Sequence, residues 1–141
     1  MLTTFPLMAV ALIVYNGIAF GMGVQSVASA GPTWADPLFS FTLISGQPWQ
    51  VSLGDAVLAL GLFLLFFEIL KATRVGRLSI VDHLLSTLVL ILFLIEFLAV
   101  PAAGTSIFFL LMLMTLVDVM AGFSVSIRTA TRDVSLGEGG L

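Results

Sequence analysis

The 141-residue chain contains no cysteine, which excludes a disulfide frame and a thiolate metal site and leaves its redox compartment unwritten. It has one histidine, His83, too few for a zinc or haem site built by the chain alone. Charge is also scarce. Charged residues make up 9% of the chain, whereas a soluble domain needs roughly 25% to clothe its core. The net charge of −3 offers no basic surface for nucleic acid. No phosphate-cradling glycine loop, HExxH pattern or nucleophile elbow occurs. An enzyme is therefore not expected, and neither is a cofactor or a metal. A remote exception would be a lipid-acting enzyme working through His83 and Asp82 at a membrane rim.

What is present is apolar. Hydrophobic residues form 60% of the chain and the mean hydropathy is +1.20. Such a chain cannot build a hydrated shell, so lipid is the solvent it fits. Four runs approach the ~20 apolar residues that a spanning helix requires. They cover about 5–23, 53–70, 80–100 and 107–125. The expected fold is thus an all-α membrane bundle of four transmembrane helices, forming one domain over residues 1–128 with a flexible tail at 129–141. Ala28-Ser29-Ala30 resembles a signal-peptidase site, but no Lys or Arg precedes the first run, which is long for a signal peptide. That run is read as a retained span.

All five cations fall into two places. Lys71, Arg74 and Arg77 lie between the second and third runs, and Arg128 and Arg132 follow the fourth. With four crossings both groups share one side, and under the positive-inside rule that side is cytoplasmic, as are both termini. The segment at 25–50 is then external. Phe39, Phe41 and Leu43 alternate with polar residues, as do Trp49, Val51 and Leu53, on either side of Ser45-Gly46-Gln47-Pro48. This predicts a short β-hairpin, lying on the bilayer or offering an edge to a partner. Trp34 and Trp49 suit the membrane–water interface, where an indole N–H stays wet.

Polar residues within the spans need reasons, because each is costly there. Ser52-Leu-Gly-Asp55 and Ser79-Ile-Val-Asp82 fit the capping-box spacing at the starts of the second and third helices, so Ser52, Asp55, Ser79 and Asp82 are read as caps. Glu68 is read as a snorkelling partner of Lys71 and Arg74. Glu96 and Asp118 remain, with no cation inside any span to meet them. They are expected either to hydrogen-bond a neighbouring helix, with Asn16, Thr115 or a backbone carbonyl as candidate partners, or to relay protons or cations or recruit a partner. His83 is read as a solvated or hydrogen-bonded side chain near the basic link. Gly54, Gly61 and Glu68 recur every seven residues, as do Asp82, Val89 and Glu96, while Thr115, Asp118 and Gly122 lie one turn apart. These stripes, with the GxxxG of Gly17 and Gly21, are expected at helix–helix contacts.

The outer segment Gly46-Gln-Pro-Trp-Gln-Val-Ser-Leu-Gly-Asp55 and the exit Phe67-Glu-Ile-Leu-Lys-Ala-Thr-Arg74 resemble small four-helix inner-membrane proteins of alphaproteobacteria whose role is uncharacterised. The resemblance implies a bacterial cytoplasmic membrane and no activity, and no site residue is carried over from it. The expected role is an accessory or scaffold subunit whose partners are membrane lipids and other membrane-protein subunits, or a second copy of itself. The alternative is a small oligomeric channel or proton-linked carrier using Asp118 and Glu96.

Overall fold

A computed structural model describes residues 5–24, 31–72 and 78–137, without the side chains of 78–80, 126 and 128–137. The chain is mostly helical with one small hairpin: α1 Met8–Gly21, β1 Pro37–Thr42, β2 Pro48–Ser52, α2 Leu53–Ala72, α3 Leu78–Ala99, a 3-10 turn at Pro101–Ala103, and α4 Ser106–Gly137. Three helical stretches, Leu53–Ala72, Val81–Ala99 and Ser106–Val125, are long and apolar enough to cross a membrane. The shorter α1, with 14 residues, extends ~21 Å.

The helix that was expected to end near residue 125 continues to Gly137, so a helix occupies most of the stretch expected to be a flexible tail. No proline interrupts Thr129–Gly137, and Gly139-Gly140 follows it. Arg74 and Arg77 lie outside the described residues, as do the Ala28–Ala30 segment and the side chains of Ser79, Arg128 and Arg132.

Helices α2 and α4 form the main pair, with α3 packed on α4 and α1 on α2. The inner faces follow helical periodicity. Met8, Ala11, Tyr15 and Ala19 are buried on α1; Gly54, Val57, Gly61, Leu65, Glu68 and Ala72 are buried on α2. Phe93, Phe108 and Leu111 are completely buried at the centre. The outward faces carry exposed Leu, Ile and Phe throughout, an arrangement that suits lipid rather than water.

Two of the glycine stripes seen in the sequence mark the close approaches. A Cβ at Gly54 would sit 2.5 Å from Ile107 Cδ1, and one at Gly61 would strike Leu111. On α4, a Cβ at Gly122 would run into the His83 ring. By contrast, a Cβ added at Gly17 or Gly21 would find nothing of this chain within 4 Å, and both positions are exposed. The GxxxG face of α1 is therefore turned away from the bundle, because the buried stripe of α1 runs through Ala11, Tyr15 and Ala19 instead.

The hairpin is antiparallel, pairing Phe39 with Val51 and Phe41 with Trp49, with an irregularity between Pro37 and Phe39. Leu43 lies in the turn and Leu53 opens α2, so both strands are shorter than their alternation. The turn places Gly46 at φ +81°, a conformation glycine adopts without strain, and is closed by Gly46 N–H donating to the Leu43 carbonyl at 2.9 Å. Strand β2 runs into α2 without a break. The N–H groups of Leu53 and Gly54 donate to the carbonyls of Asp36 and Trp34 at 3.0 and 2.9 Å, which anchors the preceding segment over the start of α2.

Candidate functional site: a buried charge layer

The polar groups of the bundle gather at its two ends. At the hairpin end, Tyr15 donates its hydroxyl proton to the Ala102 carbonyl at 2.8 Å and lies 2.7 Å from Thr105 Oγ1. The Tyr15 ring stacks on Trp34 at 4.5 Å. Trp34 was expected to keep its N–H wet at an interface. Instead it is 6% exposed, and its Nε1 is buried with no hydrogen-bond partner among the described residues, because the 31–36 segment folds its ring onto Tyr15. Trp49 is half exposed and stands edge-on to Phe41. Asn16 Nδ2 donates to Glu96 Oε2 at 3.0 Å, so this acid meets a neighbouring helix.

The capping positions resolve differently at the two helix starts. At α2, Ser52 N–H and Oγ–H donate to Asp55 Oδ2 at 2.9 and 2.7 Å, and Asp55 N–H donates back to Ser52 Oγ at 3.1 Å. This is the reciprocal geometry of a capping box. Helix α3 begins at Leu78, upstream of the expected cap, which carries Asp82 past the position an N3 acid would occupy. The Asp82 carboxylate engages Lys71 instead.

That contact belongs to a layer at the other end, where α2, α3 and α4 meet beneath the start of α1. Lys71 Nζ lies 2.8 Å from Glu68 Oε1, 2.9 Å from Asp82 Oδ1 and 2.9 Å from the Phe5 carbonyl. Glu68 is 1% exposed, so it does not snorkel. Its Oε2 accepts the Leu7 N–H at 3.0 Å, and Oε1 lies 3.5 Å from Ser86 Oγ, a long contact. Helix α1 lacks a side-chain cap, so Glu68 both satisfies one of its first N–H groups and sets a negative charge at its positive end.

Asp118 completes the layer. It is 3% exposed, within hydrogen-bonding reach of Ser86, and in the field of Glu68, Lys71 and Asp82. Sequence spacing placed it near mid-span without a cation, but the fold carries it towards Lys71. Thr115, a candidate partner, donates to the Leu111 carbonyl of its own helix at 2.9 Å. His83 is buried at 7% exposure, against Gly122 and the Phe123 ring, rather than solvated.

The chain matches no protein-family model, no curated protein and no solved structure.

Functional meaning therefore rests on the site itself. The layer assembles residues from 68 to 118 in sequence, and its three carboxylates face one ammonium. Among the described residues no three acids or histidines converge on a point fit for a metal ion. Between this layer and the Asn16–Glu96 pair lie Leu65, Val89, Phe93, Phe108 and Leu111, all in the buried apolar core. Ser86 was not singled out by sequence reading. Its signal was available: it lies on the buried stripe with Asp82, Val89 and Phe93.

Proposed function

We propose that the chain is a non-enzymatic subunit of a larger membrane assembly, crossing a bacterial cytoplasmic membrane four times with both termini inside. In this reading α1 crosses with the help of the residues flanking it, since a crossing takes about 20 residues. The observation that carries the subunit role is the outward GxxxG face of α1. Gly17 and Gly21 lie there beside exposed Ile13 and Phe20, while Gly54 and Gly61 of α2 and Gly122 of α4 are spent on contacts within the chain. In lipid, small residues at four-residue spacing let a second helix backbone approach closely. The exposed Phe39, Phe41 and Trp49 of the hairpin offer a second contact surface.

The test is copurification from native-level membranes in mild detergent, comparing wild type with Gly17→Leu/Gly21→Leu. A stoichiometric partner, or a second copy, should accompany the wild type and be lost from the variant, whose own melting temperature stays unchanged. A wild-type protein that runs alone and monodisperse would refute the reading.

The carrier alternative draws on Asp118, whose Oδ2 is buried without a hydrogen-bond partner among the described residues. The apolar core between Asp118 and Glu96 speaks against a relay joining those two through one chain. Proton flux in reconstituted vesicles, reduced by Asp118→Asn, would support it nonetheless; flux equal to that of empty liposomes would end it.

A further inference from the structure

We propose that Asp118 holds one exchangeable proton, reached from the Lys71 end of the bundle and closed to the hairpin end. An ammonium has three N–H groups, and Lys71 has three oxygen neighbours already: Glu68 Oε1 at 2.8 Å, Asp82 Oδ1 at 2.9 Å and the Phe5 carbonyl at 2.9 Å. Asp118, the third carboxylate of the layer, is not among these neighbours. Its Oδ2 is buried and, among the described residues, meets no donor.

Among the described residues, the groups facing Asp118 from each packed element are few. Helix α2 contributes Glu68 and Lys71, and α3 contributes Asp82 and Ser86. His83 neighbours Asp82 on α3 and sits against Gly122, one turn along α4 from Asp118. Helix α1 brings the Leu7 N–H, which is engaged by Glu68. Among the described residues, two of the three charges facing Asp118 are thus negative.

A buried carboxylate in that position needs a positive charge of its own, since low dielectric heightens both its desolvation and its repulsion by Glu68 and Asp82. A metal ion would require several oxygens converging on one point, and no such group of acids is found among the described residues. A proton requires one oxygen. It would reach Asp118 past Lys71 and His83, because Phe93, Phe108 and Leu111, all completely buried, fill the bundle on the other side. Loading removes the repulsion between α4 and the acids of α2 and α3, so proton occupancy and the seating of α4 are coupled.

The full-length protein in lipid nanodiscs, labelled with carbon-13 at its Asp carboxyls, is titrated while the infrared band of protonated carboxyl is followed. One Asp should show this band, shift it in heavy water and lose it as pH rises. The band should be absent from Asp118→Asn and retained in Glu96→Gln. Asp118→Glu keeps the acid, covering the case in which the Asn variant does not fold, and should move the band from the Asp-labelled to the Glu-labelled sample. In oriented vesicles it should respond only to pH on the Lys71 side. A band that survives Asp118→Asn, stays with the Asp label in Asp118→Glu, or answers to pH on the hairpin side would overturn the proposal. Partner copurification does not move this band, so the proposal and the subunit reading fail separately.

Discussion

Replacing Lys71 with Met tests whether the charge layer holds the bundle together. Met matches the length and apolar stem of Lys, so packing is nearly conserved and the ammonium alone is deleted. The change removes contacts to Glu68, Asp82 and the Phe5 carbonyl at once, and leaves two carboxylates whose side chains are 2% and 10% exposed. Deleting one member of a buried ion pair costs roughly 3–5 kcal/mol, because the partner charge is stranded. Here the lower end applies. Glu68 keeps the Leu7 N–H, and the Lys71 side chain is 12% exposed, so water reaches the rim of the layer. A loss of ~3 kcal/mol is a fall of more than 100-fold in the folding equilibrium constant. Reversible unfolding in mixed micelles, titrated with denaturing detergent, would measure it. Neutralising the stranded acids in the same chain, as Lys71→Met/Glu68→Gln/Asp82→Asn, should recover most of the loss. If Lys71→Met is as stable as wild type, or if the triple variant is no better than the single one, the layer is not a coupled unit and the reasoning fails.

Three further expectations can be checked with the same preparations. Gly61→Val should destabilise by about 1–3 kcal/mol, since its side chain meets Leu111 on α4; unchanged stability would show that the α2–α4 contact is loose. Tyr15→Phe should cost ~1 kcal/mol in unfolding titrations through loss of its hydroxyl bonds to Ala102 and Thr105, with the ring packing on Trp34 and Phe108 retained. Asp36 accepts the Thr33 side-chain hydroxyl and backbone N–H, and these bonds hold its carboxyl below the usual carboxylate range. A carboxyl lowered on folding stabilises fully above its ordinary value, near 3.9, and loses that contribution as pH falls through the lowered one. The protection factor of the Thr33 amide, its exchange rate referred to the intrinsic rate at the same pH, should therefore fall in the wild type as pH drops through the lowered value and be low at all pH values in Asp36→Ala.

Much of the local architecture was legible in the residues. Apolar length marks three spans, period-2 alternation around Ser45–Pro48 marks the hairpin, and Ser52 with Asp55 marks the start of α2. Each of these depends on neighbours within a few positions, where backbone geometry dictates who can touch. Helical spacing also pointed Gly54, Gly61 and Gly122 towards other helices. It failed for Gly17 and Gly21 because a motif states that a helix could be approached, without saying which face of α1 the rest of the chain covers.

The tertiary structure alone decided how the acids are shared. Sequence spacing made Asp82 a cap, Asp118 an isolated mid-span acid and Glu68 a rim pair. In the fold, Lys71 reaches Glu68 and Asp82, and Asp118 lies in their field. The reason is depth. A helix rises ~1.5 Å per residue, so a shift of one turn in how α3 and α4 stand beside α2 would exchange every partner in the layer without altering any helix's own pattern. The sequence by itself set out apolar spans, a capped hairpin junction and cations confined to two stretches. Only packing chose the register that leaves three carboxylates around one ammonium.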